Sequence, residues 1–305
     1  MVIRSFAALE AALGGHPPLR PAVAGADDLA TLEALAGALA DGIIGGAILV
    51  GDPGRIAAIL PPVLAPRVTL LPAASAAEAA AIAVAAIRDG AADVLVKGSV
   101  DSAAYLRAVV SRETGLRASE VLSNITLAEM PSVPRLLGAT DNGIVVLPTL
   151  GQKRAILRNA VPLFRGLGVS PLRVAAIAAS EKIHPSQPAT TDAAALREEW
   201  ASGDGAVLVD GPFGYDVALS PAAAEKKGFA ASPVAGQADL ILFPTIEAGN
   251  ATVKAWKLHG QARTASIVMG ARVPVLLNSR SDGADQRRLG LLLAAAARIG
   301  QGAAP

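Results

Sequence analysis

The chain has no cysteine, which excludes disulfides, thiolate nucleophiles and cysteine-bound metals together. It has only three histidines, His16, His184 and His259, far apart in sequence. A histidine metal centre or a Ser-His-Asp hydrolase therefore has little to draw on. Aromatic residues make up 3% against 52% hydrophobic residues, so alanine and small aliphatics must build the cores. His16, His184, His259, Trp200 and Trp256 read as packing or surface residues. Charge of one sign is lacking too: 27 Lys+Arg against 26 Asp+Glu gives a net charge of +1. No bulk basicity attracts nucleic acid or an anionic membrane, although a local arginine cluster could still serve an anionic substrate. No uncharged apolar run approaches the ~20 residues needed to span a bilayer. The start, MVIRSFAALEAALGG, carries Glu10 within its apolar run and lacks a signal-peptide pattern. The expectation is a cytoplasmic protein.

What is present is alternation. GAILVGD (46–52), ADVLVKG (92–98), RVAAIAAS (173–180), GAVLVDG (205–211), ADLILFPT (238–245) and VPVLLNS (273–279) each hold a continuous apolar run, as strands covered on both faces do. Amphipathic helical stretches lie between them. The pattern predicts an α/β fold of mostly parallel sheets, and 305 residues suit two domains. Ser75 and Glu78 predict a capped helix reaching Arg88, with Gly90 as its stop. A helix is predicted over 102–110, another over 152–164 that Pro162 should kink or end, and a last one over 290–299. Residues 14–25 read as loop and the GAAP tail as frayed. Residues 119–148 predict antiparallel strands and a domain junction.

In open α/β sheets ligands bind beyond the carboxyl ends of the strands. Those ends supply Asp52, Lys97 to Ser99, Ser180 to Lys182, Asp210, Thr245, Glu247, and Ser279 to Asp282. Helix caps and turns also need Ser, Asp and Gly there, so single members carry little. Three sets carry more. Lys97, Gly98 and Ser99 join a buried strand to a helix, a place suited to an anion. Arg107, Arg112 and Arg117, beside Thr114 and Ser119, would suit phosphates or a solvated helix face equally well. In LLNSRSDGADQRR (276–288), Ser279 could donate to an oxyanion, Arg280 could hold a phosphate and Asp282 could accept a proton; capping the final helix is the competing reading.

Together these sets resemble the phosphate acetyltransferase and phosphate butyryltransferase family, from about residue 20 onward. The resemblance is carried by ADVLVKGSVDSAAYLRAVVSRETGLR (92–117), ATDNGIVVLPTLGQKRAILRNAV (139–161), HPSQPATTDAAAL (184–196), ADLILFPTIEAGNATVKA (238–255) and IVMGARVPVLLNSRSD (267–282). The spacing of Asp282 from Arg280 is more similar to the butyryltransferase branch. The acetyltransferase branch places its acid where this chain has Gln286, next to Asp285. The resemblance implies an isopropylmalate dehydrogenase-like fold of two domains with an interdomain cleft, here residues 1–140 plus 276–305 and residues 141–275. It implies acyl-CoA + phosphate = acyl phosphate + CoA by direct attack, with coenzyme A as substrate, no permanently bound cofactor, no metal and a homo-oligomer. By position, Ser279, Arg280 and Asp282 would be catalytic. Lys97, Gly98, Ser99, Arg112, Thr114, Arg117, Glu247, Asn250, Lys254 and Asp285 would bind substrate. Asp141, Asp192 and Asp210 match family carboxylates. Val145 and His184 stand where the family often has asparagine, which bears on the acyl group more than on the reaction. Two other classes remain at this point: a metal-dependent NAD(P) hydroxyacid dehydrogenase of the same broad fold, and a catalytically silent CoA-binding subunit.

Overall fold

Pro21–Ala24 (β1), within the segment predicted as loop, is a fully buried inner strand. Proline is tolerated as the first residue of a strand, and four residues amid GHPPLRP are too few to show a period. The computed structural model describes residues 2–279 and 282–302. They form two compact units, Ala7–Glu120 with Ala265–Pro305 and Met1–Phe6 with Val121–Thr264. The changeovers thus lie at 120/121 and 264/265, where the sequence reading has 140/141 and 275/276. The antiparallel hairpin of residues 123–140 sorts with the second unit because it pairs with that unit's parallel strands.

In the first unit the strand order is β3-β2-β1-β4-β11-β10, with β2 Ala47–Gly51, β3 Val68–Pro72, β4 Val94–Lys97, β10 Arg263–Met269 and β11 Val275–Leu276. β10 crosses the changeover and is antiparallel to β11; the other pairs are parallel. The helices are α1 Phe6–Ala12, α2 Leu29–Ala40, α3 Pro53–Ile59, α4 Ala76–Arg88, α5 Ser102–Val110 and α11 Ala284–Gly300. Asp28, Asp52, Ser75 and Asp101 cap four of them by accepting backbone N–H groups. Each cap follows a strand tip, so the carboxyl edge of this sheet is polar for a structural reason first. Glu78 accepts from Ala74 rather than completing a box with Ser75. α11 begins six residues before the predicted 290, with Gln286 accepting from the Gly283 N–H. The predicted frayed tail lies, from residue 303, outside the described residues.

In the second unit the order is β5-β6-β9-β7-β8, with β5 Ser123–Met130, β6 Val133–Thr140, β7 Leu172–Ile177, β8 Val207–Phe213 and β9 Leu240–Leu242. β5 and β6 form the predicted antiparallel pair and the rest are parallel. Its helices are α6 Leu150–Gly166, α7 Pro188–Ala201, α8 Tyr215–Leu219, α9 Pro221–Lys226 and α10 Ile246–Leu258. α6 starts with a full Thr149/Gln152 capping box and continues four residues past Pro162. Burial of Leu163 and Phe164 beyond the proline offsets the lost hydrogen bond. Among the described residues no helix is long and apolar enough to cross a membrane.

Candidate active site

β4 and β11 are parallel neighbours, with Val96 opposite Leu276. The segments 97–99 and 277–279 therefore leave one edge of the first unit from adjacent strands, about 4.8 Å apart at the sheet. β1 flanks β4 on its other side, with Ala24 opposite Lys97. The turn after β1 meets the turn after β4 closely: Gly98 N–H donates to Ala24 O at 2.9 Å and Ser99 N–H to Gly25 O at 2.7 Å. A Cβ on Gly98 would stand 2.0 Å from Gly25 O, and Gly25 itself has φ +71. Both glycines are required by this approach.

Lys97 is buried, and its Nζ lies 3.2 Å from Gly98 O. Ser99 Oγ donates to Asp27 Oδ1 at 2.5 Å, and Asp27 also pairs with Arg55 at 3.5 Å. A cavity of about 390 Å3 opens there, lined by Asp27, Asp52, Arg55, Ser75 and Ser99 among others. Beyond β11, Ser279 N–H donates to Asp282 Oδ2 at 2.8 Å and Asp282 N–H to Ser279 O at 3.1 Å, a reciprocal turn. Arg280, predicted as the phosphate-holding residue, lies outside the described residues. Asp285 is exposed in the first turn of α11. Arg287 fixes the turn from behind: Nε donates to Asp282 O at 3.0 Å, and Nη1 to Thr31 Oγ1 at 2.6 Å and Asp28 Oδ2 at 3.2 Å.

The structure does not bring the arginine loop to this edge. Ser102–Val110 runs back from the tip of β4, and the chain after it joins the turn that leads into β11. Arg272 N–H donates to Leu116 O, Ala118 and Ser119 N–H to Gly270 O, and Arg117 bridges Ala271. Arg112, Thr114 and Arg117 are thus exposed at the amino edge of β4 and β11, opposite Lys97 and Ser279. A helix reverses the chain's direction across the sheet, and closeness in sequence to Lys97 conceals this.

Glu247, Asn250 and Lys254 lie on α10 in the second unit, exposed. Asn250 donates to Asn142 O at 3.2 Å. Asp141 accepts the N–H groups of Gly143, Ile144 and Asn124 at 2.7, 2.8 and 3.0 Å; burial nonetheless raises its pKa. Asp192 pairs with buried Lys153 at 2.7 Å, and Asp210 accepts from Gly211 N–H and Ser232 Oγ. These three carboxylates are engaged in holding turns and helices. Two edge residues of the first unit escaped the sequence reading. Asp27 was hidden with β1. Asn278, seen only as a strand end, has a buried Nδ2 with no hydrogen-bond partner among the described residues.

The family described as phosphate acetyl/butaryl transferase matches residues 73–295. The phosphate butyryltransferase of Clostridium acetobutylicum is 35% identical over 297 residues, covering 96% of this chain and 98% of the relative. The fold is similar to that of a branched-chain phosphotransacylase from Enterococcus faecalis V583 (TM-score 0.80, 24% identity, 92% of this chain and 98% of that one). It is also similar, more distantly, to a 4-hydroxythreonine-4-phosphate dehydrogenase from Klebsiella pneumoniae (TM-score 0.52, 12% identity, 91% and 98%). The expected dehydrogenase-like α/β architecture is therefore present, and by the sequence match the chain belongs to the phosphate acetyl/butyryl transferase family of acyltransferases.

Proposed function

We propose that this enzyme exchanges a short acyl group between coenzyme A and inorganic phosphate, with the reacting centre at the adjoining tips of β4 and β11. A phosphate oxygen attacks the thioester carbonyl, the C–S bond breaks, and the thiolate leaves to be protonated as free CoA. The observation that carries this reading is the parallel pairing of the Lys97 strand with the strand that delivers Ser279 and Asp282. Ser279 and the Asn278 amide, which has no acceptor among the described residues, are donors suited to the oxyanion that develops on the carbonyl. Lys97 and Ser99 form the phosphate side, and Arg280 offsets the charge of the attacking phosphate. Asp282 takes the thiol proton in the reverse direction. Glu247, Asn250, Lys254 and Asp285 remain proposed substrate contacts. Arg112, Thr114 and Arg117 would reach CoA phosphates only away from the tip of β4.

The butyryltransferase-like spacing of Arg280 and Asp282 favours a chain longer than acetyl. The enzyme is further read as a cytoplasmic homo-oligomer that binds CoA as a substrate and keeps no permanent cofactor. The test is thiol release from acetyl-, propionyl- and butyryl-CoA. Free CoA should accumulate only when phosphate or arsenate is added. Release without either anion would mean a hydrolase, and no release with any acyl-CoA would leave a binding protein.

A further inference from the structure

Away from that edge, the second unit holds a cavity of about 170 Å3 at the amino ends of β6, β7 and β9, lined by Arg4, Arg135, Ser170, Arg173, Gln237 and Asp239 among others. Three guanidiniums line it with one carboxylate. That carboxylate is already committed: Asp239 Oδ2 accepts the Arg173 backbone N–H at 3.1 Å, and its oxygens lie 3.9 Å from Arg135 Nε and 3.7 Å from Arg173 Nη1. Arg135 Nε is turned to Ala238 O at 3.0 Å. Two donors are left over. Arg135 Nη2 and Arg173 Nε are buried with no hydrogen-bond partner among the described residues. Burial lowers the pKa of Arg135; Asp239 opposes that, while Arg4 and Arg173 add to it as like charges. Arg4 is held at the mouth by its neighbours, since Ile3 N–H donates to Leu167 O at 2.9 Å and Phe6 N–H to Glu129 Oε2 at 3.1 Å.

Buried donors are ordinarily satisfied, and clustered guanidiniums repel unless an anion lies between them. We propose that this arginine-lined cavity binds a compact tetrahedral oxyanion: orthophosphate, or the phosphate group of a small phosphorylated metabolite. The guanidinium fork matches such oxygens in pairs. The volume is nearly six times the ~30 Å3 share of one liquid water, room for an ion of five heavy atoms. None of the lining residues belongs to the set assigned to acyl transfer, so the site stands independently of that reading. Occupancy would tie the 2–6 segment to the starts of β6, β7 and β9, stabilising the second unit by mass action.

Because orthophosphate is also the proposed substrate, the two sites must be separated. Thermal unfolding of the full chain is followed against orthophosphate and against glycerol 2-phosphate, with chloride at equal ionic strength as reference. Wild type, Arg280→Ala, Arg4→Gln and Arg135→Gln are compared. In wild type and Arg280→Ala the phosphate ligand should raise Tm. In Arg4→Gln at least half of that rise should be lost, with apparent Kd at least tenfold weaker and turnover at saturating substrates unchanged. A rise with the ester at lower concentration than with the free ion identifies a phosphorylated metabolite, and the reverse order identifies orthophosphate. The proposal is overturned if Arg4→Gln keeps the full rise, if chloride matches it, or if Arg280→Ala abolishes it. Should Arg135→Gln not fold, the exposed Arg4 variant decides alone.

Discussion

Asp282 receives the Ser279 N–H on a side-chain oxygen. Asparagine can keep that bond while losing the charge, whereas alanine loses both. A carboxylate is intrinsically a much weaker base than the thiolate it would have to generate, so anion positioning should outweigh proton transfer. Turnover at saturating substrates should therefore fall on the order of 10²–10³ in Arg280→Ala, the cost typical of losing one preorganised donor. Asp282→Asn should lose less and Asp282→Ala more than Asp282→Asn. A greater loss in Asp282→Asn than in Arg280→Ala would reverse the assigned weights. Gly98 offers a sharper steric test. Its added Cβ would meet the backbone oxygen of Gly25, which cannot rotate away. Gly98→Ala should cost about 3 kcal/mol or more in urea unfolding, the upper end for overpacking. That Lys97, Ser279 and Asp282 stand at or just beyond strand ends was legible because strand tips announce themselves in sequence. Asn278 was not, because only coordinates reveal a donor without an acceptor among the described residues.

Apart from the β5–β6 hairpin, the strands that sequence reading located are continuous apolar runs; β1, β3 and β10, which it missed, break that pattern. β1 starts with proline inside a proline-rich stretch, and β3 has exposed positions instead of a buried run. The loss of β1 also hid Asp27, whose bond to Ser99 depends on the turn after that strand. Pro162 failed as a helix stop because burial of the residues after it outweighs local propensity. A helix also separates Arg112 and Arg117 from Lys97, since its nine residues carry the chain about 13 Å back across the sheet. The join between α2 and α11 can be tested directly. Arg287→Gln removes a buried cation from Asp28, whose side chain is only 19% exposed. We expect about 3 kcal/mol of lost stability. Arg287→Lys should recover part of it, because the charge survives without the fork. A wild-type urea midpoint for Arg287→Gln would show that the turn at Asp282 does not depend on this anchor.

Stability of the entire molecule should carry a pH signature from carboxyls that burial disfavours in their charged form. Asp93, Asp141 and Asp239 all have raised pKa values, with desolvation the leading cause in each. In such a group the unfolded chain ionises first as pH rises past 3.8, while the folded form still holds its proton. Each contribution to stability is therefore fully present below 3.8 and is lost as pH climbs through the raised folded value. Asp93 is the cleanest probe, because asparagine can still accept the Arg20 N–H that Asp93 Oδ1 accepts at 2.9 Å. Asp93→Asn should have a higher urea midpoint than wild type at pH 7, with the gap closing toward pH 3. A gap that widens in acid would contradict the sign. At this scale the α/β class and the two-part division were readable from alternation and length. The points of changeover were not, because a hairpin gives no local sign of which neighbour it will join.

The seating of β11 between β4 and β10 also has a consequence during synthesis. β4 is complete at Lys97, but its neighbour arrives roughly 180 residues later, about 9–36 s at ordinary translation speeds. All of Val121–Thr264 emerges from the ribosome in that interval. The newborn protein must therefore carry an unzipped flank on β4 while its other half is made, and a chaperone has its best opportunity to bind there.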